Sequence, residues 1–443
     1  MTASPKSFDV AVIGGGPAGA TAAIRAARAG LSVAVVERAT HPRFHIGESL
    51  LPRQTALLRE LGLLERVQQL PHIPKFGASF AMAQDTDSTD FWFSPGPRGE
   101  EAYACNLERA PFDALMLRIA REEGASVFED CAVESIDRLD DGGVELSTSI
   151  GPIRGRGLID ASGQSTIVAK HLGTRRTLPD LCRVAYFQHF RGVARRSGDL
   201  GGHPIIVMCQ EGWFWMIPLD AEKTSVGLVM EHRLGKSTGV AAGRMLSWAI
   251  PRTPFVHARM QQAVGPQDND VCADFSYTCE PYAGPGYFLV GDAATFVDPI
   301  FSTGVCMGMM SAIRAADALA ASLRDPSRSL LLRAEYSRYV RSSSSTFFGL
   351  VRNFYRHGFR EMFLNGTGPL HVHKAVLSAL AGHVFPRPVF SIRWRLALFR
   401  ALQRIHEHTL LVPGRDAYSL LESKSIPRQR AHAPEGIAPV AAA

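Results

Sequence analysis

The sequence predicts an α/β fold: a parallel-sheet unit interleaved with a second, β-sheet unit and followed by C-terminal helices. Three observations lead there. An apolar run, a glycine-rich turn, a helix and a second apolar run open the chain as a βαβ unit. Residues 181–231 alternate apolar and polar positions with the two-residue period of strands. From Val305 onward the pattern is mostly helical.

The elements follow in order. Residues 10–13 form a short apolar strand, and 14–19 a glycine turn. Residues 21–29 read as a helix, with Ala23, Ile24 and Ala27 inward and Arg25 and Arg28 outward; Gly30 ends it. Residues 31–36 are a second strand that delivers Glu37. Helical spacing recurs over 50–70 and 112–123. A hairpin turns at Asp140-Asp141-Gly142-Gly143, and 158–163 is a strand and turn. The alternating stretches 184–187, 204–209, 214–219 and 224–230 make the second sheet. Residues 287–290 are a further buried strand. The expected organisation is a nucleotide-binding unit from 1–180 and 281–330 and a β-sheet substrate unit over 181–280. A helical region over 331–425 and a Pro/Ala-rich, disordered tail over 426–443 complete it.

A chain of 443 residues that is 46% hydrophobic and 20% charged can bury a large core. No uninterrupted apolar stretch approaches the roughly 18–20 residues of a bilayer span, and the N-terminus has no signal layout. A cytoplasmic location is the expectation, with no transmembrane segment. Seven cysteines are scattered without CxxC or metal spacing, which suits free thiols and no metal site. The net charge of +6 gathers in arginines from Arg352 to Arg430 without interleaved aromatics, so nucleic acid is not an expected partner.

Gly14, Gly16 and Gly19 form G-x-G-x-x-G between strand and helix, with Ala18 inside the motif. This pattern places a pyrophosphate at the helix N-terminus, and Glu37 is placed to accept from ribose hydroxyls. The motif alone does not separate NAD from FAD. Two later segments do: Asp160-Ala161-Ser162-Gly163 and Gly291-Asp292-Ala293-Ala294 resemble the distal motifs of the FAD-dependent hydroxylase and halogenase superfamily. The resemblance implies a Rossmann-like FAD-binding domain with Asp292 on the flavin ribityl chain. It also implies Arg43 and Arg109 as flavin-contacting arginines, for which a surface salt bridge is the plainer alternative.

Four further segments narrow the chemistry. They are Gly47-Glu48-Ser49-Leu50-Leu51-Pro52, Pro74-Lys75-Phe76-Gly77-Ala78, Trp213-Phe214-Trp215-Met216-Ile217-Pro218 and Asp298-Pro299-Ile300-Phe301-Ser302-Thr303-Gly304. Together they resemble the flavin-dependent halogenases, over about residues 8–320. The resemblance implies that reduced FAD and oxygen convert chloride or bromide to hypohalous acid, which Lys75 delivers. Thr303 and Gly304 would hold the halide at backbone N–H groups, with Gly304 also beside the flavin. Trp213, Trp215 and Phe301 would wall the substrate away from the flavin. Taken alone, Lys75 is also compatible with a solvated lysine before a glycine turn, and the tryptophans with core packing.

One departure matters. Tryptophan-type halogenases carry a glutamate at the position of Phe301, and phenylalanine can neither act as a base nor orient an indole. The phenol/pyrrole-type branch is therefore implied, with a small aromatic substrate that some relatives take from a carrier protein. No second nucleotide fold is visible, so reduced FAD is expected from a separate flavin reductase. His41, His45 and His72 are given no catalytic role. The competing reading is an FAD-dependent monooxygenase or dehydrogenase on the same scaffold. Two others are a flavin-binding accessory protein, and a membrane-peripheral reductase using 390–405 as an interfacial helix.

Overall fold

In the computed structural model, residues 6–426 are described, except 98, 100, 366–371, 386–387 and 425. The tail expected over 426–443 lies outside the described residues apart from Ile426.

The first sheet has a parallel spine in the spatial order Ser126–Phe128, Val33–Val36, Lys6–Ile13, Ile153–Asp160, Tyr287–Leu289. Val10 to Ile13 and Val33 to Val36 are buried throughout, as a parallel sheet covered on both faces requires. Helix Pro17–Arg28 packs against helix Gly304–Arg324, bringing two glycine-led helix starts to one end of the sheet. An antiparallel ribbon, Val133–Asp140 and Gly143–Thr148, joins Ile153–Asp160 at its start. This is the predicted α/β, Rossmann-like architecture.

The second sheet runs in the order Asp270–Phe275, Arg183–Arg191, Lys223–Glu231, Gly212–Pro218, Ile205–Met208, Gly77–Met82, Thr89–Trp92. Its last two strands lie within 77–92, in the range assigned to the nucleotide-binding unit and at positions where no strand was expected. Gly77–Met82 is buried at every position and so lacks the alternation that would have marked it. The sheet has two faces with different partners. Val184, Tyr186, Phe214, Met216 and Leu228 pack beneath helices Met245–Ala249 and Pro254–Arg259. Ala185, Phe187, Trp213, Trp215 and Val229 face the core shared with the first sheet.

The helical stretch expected over 50–70 divides into Pro52–Glu60 and Leu64–Gln68, because Gly62 between them takes φ +70°. Helices Ser329–Phe354, His357–Leu364, Val372–Leu380 and Phe390–His406 close the fold. The last one, weighed as an interfacial helix, buries Ile392, Leu396 and Phe399 in its own protein. The Phe399 ring lies 5.2 Å from that of Phe359. Among the described residues, Gly304–Arg324 is long and apolar enough to cross a membrane by length and composition, but 61% of its apolar window is buried inside the protein.

Candidate active site

The glycine turn is shaped by contacts that leave no space for side chains. Gly14 takes φ +100°, and a Cβ there would lie 2.3 Å from the Ala161 carbonyl oxygen. A Cβ on Gly19 would lie 1.8 Å from the Gly14 oxygen, so helix and strand meet through bare backbone. At Gly16 the nearest atom to a Cβ would be the Arg43 guanidinium, at 3.5 Å. That leaves room for a phosphate between an arginine and a helix N-terminus. Ala18 lies against Gly291 and Gly308, tying the first helix to the Gly291-Asp292 turn.

Glu37 is 5% exposed and closes the turn from behind. One oxygen accepts from the Gly15 amide at 2.6 Å and the other from the Ala39 amide at 2.9 Å. Its second lone pairs remain for a ribose hydroxyl. Arg109 is equally engaged: it grips Asp113 with two bonds of 2.8 and 2.9 Å and donates to the Ile46 carbonyl at 2.8 Å. It thereby anchors the 44–52 segment. Arg43, which approaches Asp113 at 3.5 Å, is the more available of the two cations.

Asp160 pins the second FAD motif by accepting from the Ser162 and Val168 amides. Asp292 has no side-chain hydrogen bond among the described residues, and burial pushes its pKa up to about 6. An open, sheltered carboxylate is suited to accept from a ribityl hydroxyl. Thr303 is buried and Gly304 begins the long helix, with Asp292 Oδ1 3.9 Å from where a Gly304 Cβ would be. Bare glycines, Arg43, Asp292 and this helix start fit FAD, with the N-terminal amides free to face an anion.

Lys75 ends the short strand Ile73–Lys75, paired with Ala104–Asn106. It is only 3% exposed. Its Nζ donates to the Leu50 carbonyl at 2.9 Å and lies 5.3 Å from the centroid of the Phe93 ring. The charge meets a carbonyl and an aromatic face but no salt bridge among the described residues. Burial therefore pulls its pKa down from 10.5 to about 7.

Trp213 and Trp215 share the side of strand Gly212–Pro218 that faces the core shared with the first sheet, with ring centroids 5.8 Å apart. Trp215 donates to Ser225 at 3.1 Å, and Trp213 donates to the Tyr355 hydroxyl at 3.0 Å. Phe187 stacks on Trp215 at 6.1 Å. Phe301 is buried edge-on against Phe354 at 6.1 Å. His41, His45 and His72 bond Glu129, the Ile46 carbonyl and the Leu70 carbonyl.

Tyr355 and His189 escaped the sequence reading. Tyr355 falls just past a helix end, with no local signal of a partner in a strand far upstream. His189 had one: it is polar on the strand face that otherwise presents Ala185 and Phe187.

A family model described as an FAD binding domain matches residues 7–345. The chain is 32% identical over 354 residues to the flavin-dependent halogenase gsfI of Penicillium aethiopicum, covering 73% of this chain and 66% of that one. It thus spans slightly under two thirds of that relative. It is 32% identical over 322 residues to the 1H-pyrrole-2-carbonyl-[peptidyl-carrier protein] brominase of Pseudoalteromonas luteoviolacea, covering 71% and 77%. The solved flavin-dependent brominase Bmp2 superposes with a TM-score of 0.80 at 27% identity, over 91% of this chain and all of that one. With the glycine turn, the buried lysine and the tryptophan pair all in place, the chain belongs to the flavin-dependent halogenases, FAD-dependent enzymes of the oxidoreductase type.

Proposed function

We propose that this protein uses reduced FAD, oxygen and chloride or bromide to halogenate a phenol or a pyrrole in secondary metabolism. The buried Lys75 carries this reading. With a pKa of about 7, a substantial fraction of its amine keeps a free lone pair at neutral pH. Bound reduced FAD, with oxygen, supplies the oxidising power that turns halide into hypohalous acid. The amine then hydrogen-bonds that acid or takes the halogen, and presents it beyond the Trp213–Trp215 pair. The Thr303–Gly304 amides hold the halide, and the tryptophans keep the aromatic substrate off the flavin. Phe301, in its apolar contact with Phe354, offers no carboxylate to orient an indole.

A separate reductase supplies the reduced FAD. A carrier-tethered substrate is a second form of the same reading, favoured by Arg393, Arg400 and Arg404, which lie exposed along the last helix and suit an acidic carrier. The test supplies reduced FAD, oxygen and bromide with phloroglucinol, pyrrole-2-carboxylate (free and carrier-bound) or tryptophan. Brominated phenol or pyrrole, lost in Lys75→Ala while oxygen is still consumed, supports the reading. Hydroxylated product without halide dependence refutes it.

A further inference from the structure

A buried carboxylate paired with a partly exposed imidazole borders the aromatic wall. His189 sits near the end of strand Arg183–Arg191, on the same face as Phe187 two residues before. Its Nε2 lies 2.8 Å from Glu48 Oε1. Glu48 is 1% exposed, and its own backbone is held by the Leu107 amide at 2.9 Å. Two residues further on, the Leu50 carbonyl takes the Lys75 ammonium. Phe44 meets His189 edge-on at 5.3 Å and stacks on Phe187 at 6.1 Å. One short segment, 44–50, therefore touches the aromatic wall, the imidazole and the lysine.

The arrangement has a chemical direction. A carboxylate is acceptor only, so it places the imidazole proton on Nε2. The Nδ1 lone pair is then left bare, and among the described residues no group hydrogen-bonds it. The His189 side chain keeps 17% exposure, so that nitrogen is not sealed. A carboxylate behind one nitrogen and an open lone pair on the other is the layout of a general base. A pyrrole is electron-rich without ionising and has no need of one. A phenol has such a need: with a pKa near 10, only about one molecule in a thousand is phenolate at pH 7.

We propose that His189, oriented by Glu48, takes the hydroxyl proton of the substrate, and that the substrate is therefore a phenol. This rests on the halogenation reading above. The phenol O–H bond breaks and its proton passes to Nδ1, while its electron pair stays on oxygen and enriches the ring. A ring π pair forms the carbon–halogen bond. The bond from halogen to the oxygen of hypohalous acid, or to the Lys75 nitrogen, breaks with its pair leaving on that atom. The ring C–H proton then leaves to water and aromaticity returns.

Two measurements test this. Histidine 15N NMR of the full-length protein should show His189 protonated on Nε2 and bare on Nδ1, with the tautomer scrambled in Glu48→Gln. A proton on Nδ1 would sink the proposal without any substrate. With reduced FAD and bromide, phenol and the more acidic 2,6-difluorophenol are then compared in wild type, His189→Gln and His189→Ala. Loss of the base should lower kcat for phenol by about 10²–10³ with KM little changed, and for difluorophenol far less. Free imidazole should partly restore His189→Ala. Equal losses on both phenols without rescue would mean a packing role and overturn the proposal. Wild type that brominates pyrrole-2-carboxylate but neither phenol overturns the phenol assignment and leaves the halogenation reading standing. Wild type that brominates nothing, while oxygen is consumed, overturns both.

Discussion

Tyr355 donates its hydroxyl to Asp298 Oδ2 at 2.6 Å. The same hydroxyl accepts from Trp213 Nε1 at 3.0 Å, so the aromatic wall and the loop leading to Thr303 are joined through one atom. Arg183 lies 4.3 Å over the Tyr355 ring. Asp298 also caps its own turn by accepting from the Ile300 amide at 3.1 Å. The position of Trp213 and that of the proposed halide loop are therefore not independent.

Tyr355→Phe should break this link. Two buried polar groups lose their partner, at a cost of about 1–3 kcal/mol. Burial already pushes the Asp298 pKa up to about 6, and the Tyr355 hydroxyl opposes that rise. The deficit should thus be larger at pH 8, where Asp298 must be charged, than at pH 5, where it is protonated. Urea unfolding of both proteins at the two pH values measures it. An equal deficit at both would contradict the burial of Asp298.

Lys75→Met should make the protein more stable and less useful. In the folded chain the Lys75 pKa is lowered to about 7, so between that value and the unfolded 10.5 the native state binds fewer protons. Stability from this group rises with pH across that window, and the penalty is full below pH 7. Removing the amine should add about 2–4 kcal/mol at pH 6 and much less at pH 10. Halogenated product should vanish. In wild type, transfer should rise with pH through about 7 if the neutral amine is the carrier.

Gly14→Ala and Gly19→Ala should yield protein with little FAD, since each Cβ would meet backbone at 2.3 and 1.8 Å. Gly16→Ala meets only the Arg43 guanidinium at 3.5 Å and should fold with near-normal stability. Its methyl would occupy the space of the pyrophosphate, so FAD affinity should still fall by at least about tenfold. Flavin absorbance after dialysis, alongside the thermal midpoint, separates the two classes.

Gly227→Ala tests the wall from behind. A Cβ at Gly227 would lie 2.2 Å from the Trp215 ring, which stacks on Phe187. Overpacking should cost about 1–3 kcal/mol and displace Trp215. Tryptophan fluorescence should shift, and more of the oxidised halide should be captured by an added scavenger than by the aromatic substrate. An unchanged partition would argue that Trp215 is core and not a gate.

The glycine turn, Glu37, the two distal FAD motifs and the opening βαβ unit were legible in the sequence. Each is a local pattern of turn residues and periodicity, readable over a few dozen residues. Lys75 was recognisable as a candidate, but its environment was not, because a three-residue strand reads alike whether exposed or buried. Glu37 and Arg109 were singled out as candidate FAD contacts. Their engagement with the Gly15 and Ala39 amides and with Asp113 was visible only when packed. The strands Gly77–Met82 and Thr89–Trp92 went unread because one is uniformly buried and the other very short.

By itself, then, the sequence determined the class of fold, the cofactor cradle and the family chemistry, all encoded by short-range constraints on backbone and turn. Only the tertiary structure decided which groups are desolvated and which meet. It joined Glu48 to His189 across 141 positions and Trp213 to Tyr355 across 142. It also set the Lys75 proton affinity by surrounding the amine with atoms from several segments. The physical reason is that desolvation and long-range hydrogen bonding are properties of the packed assembly, and no window of neighbouring residues contains them.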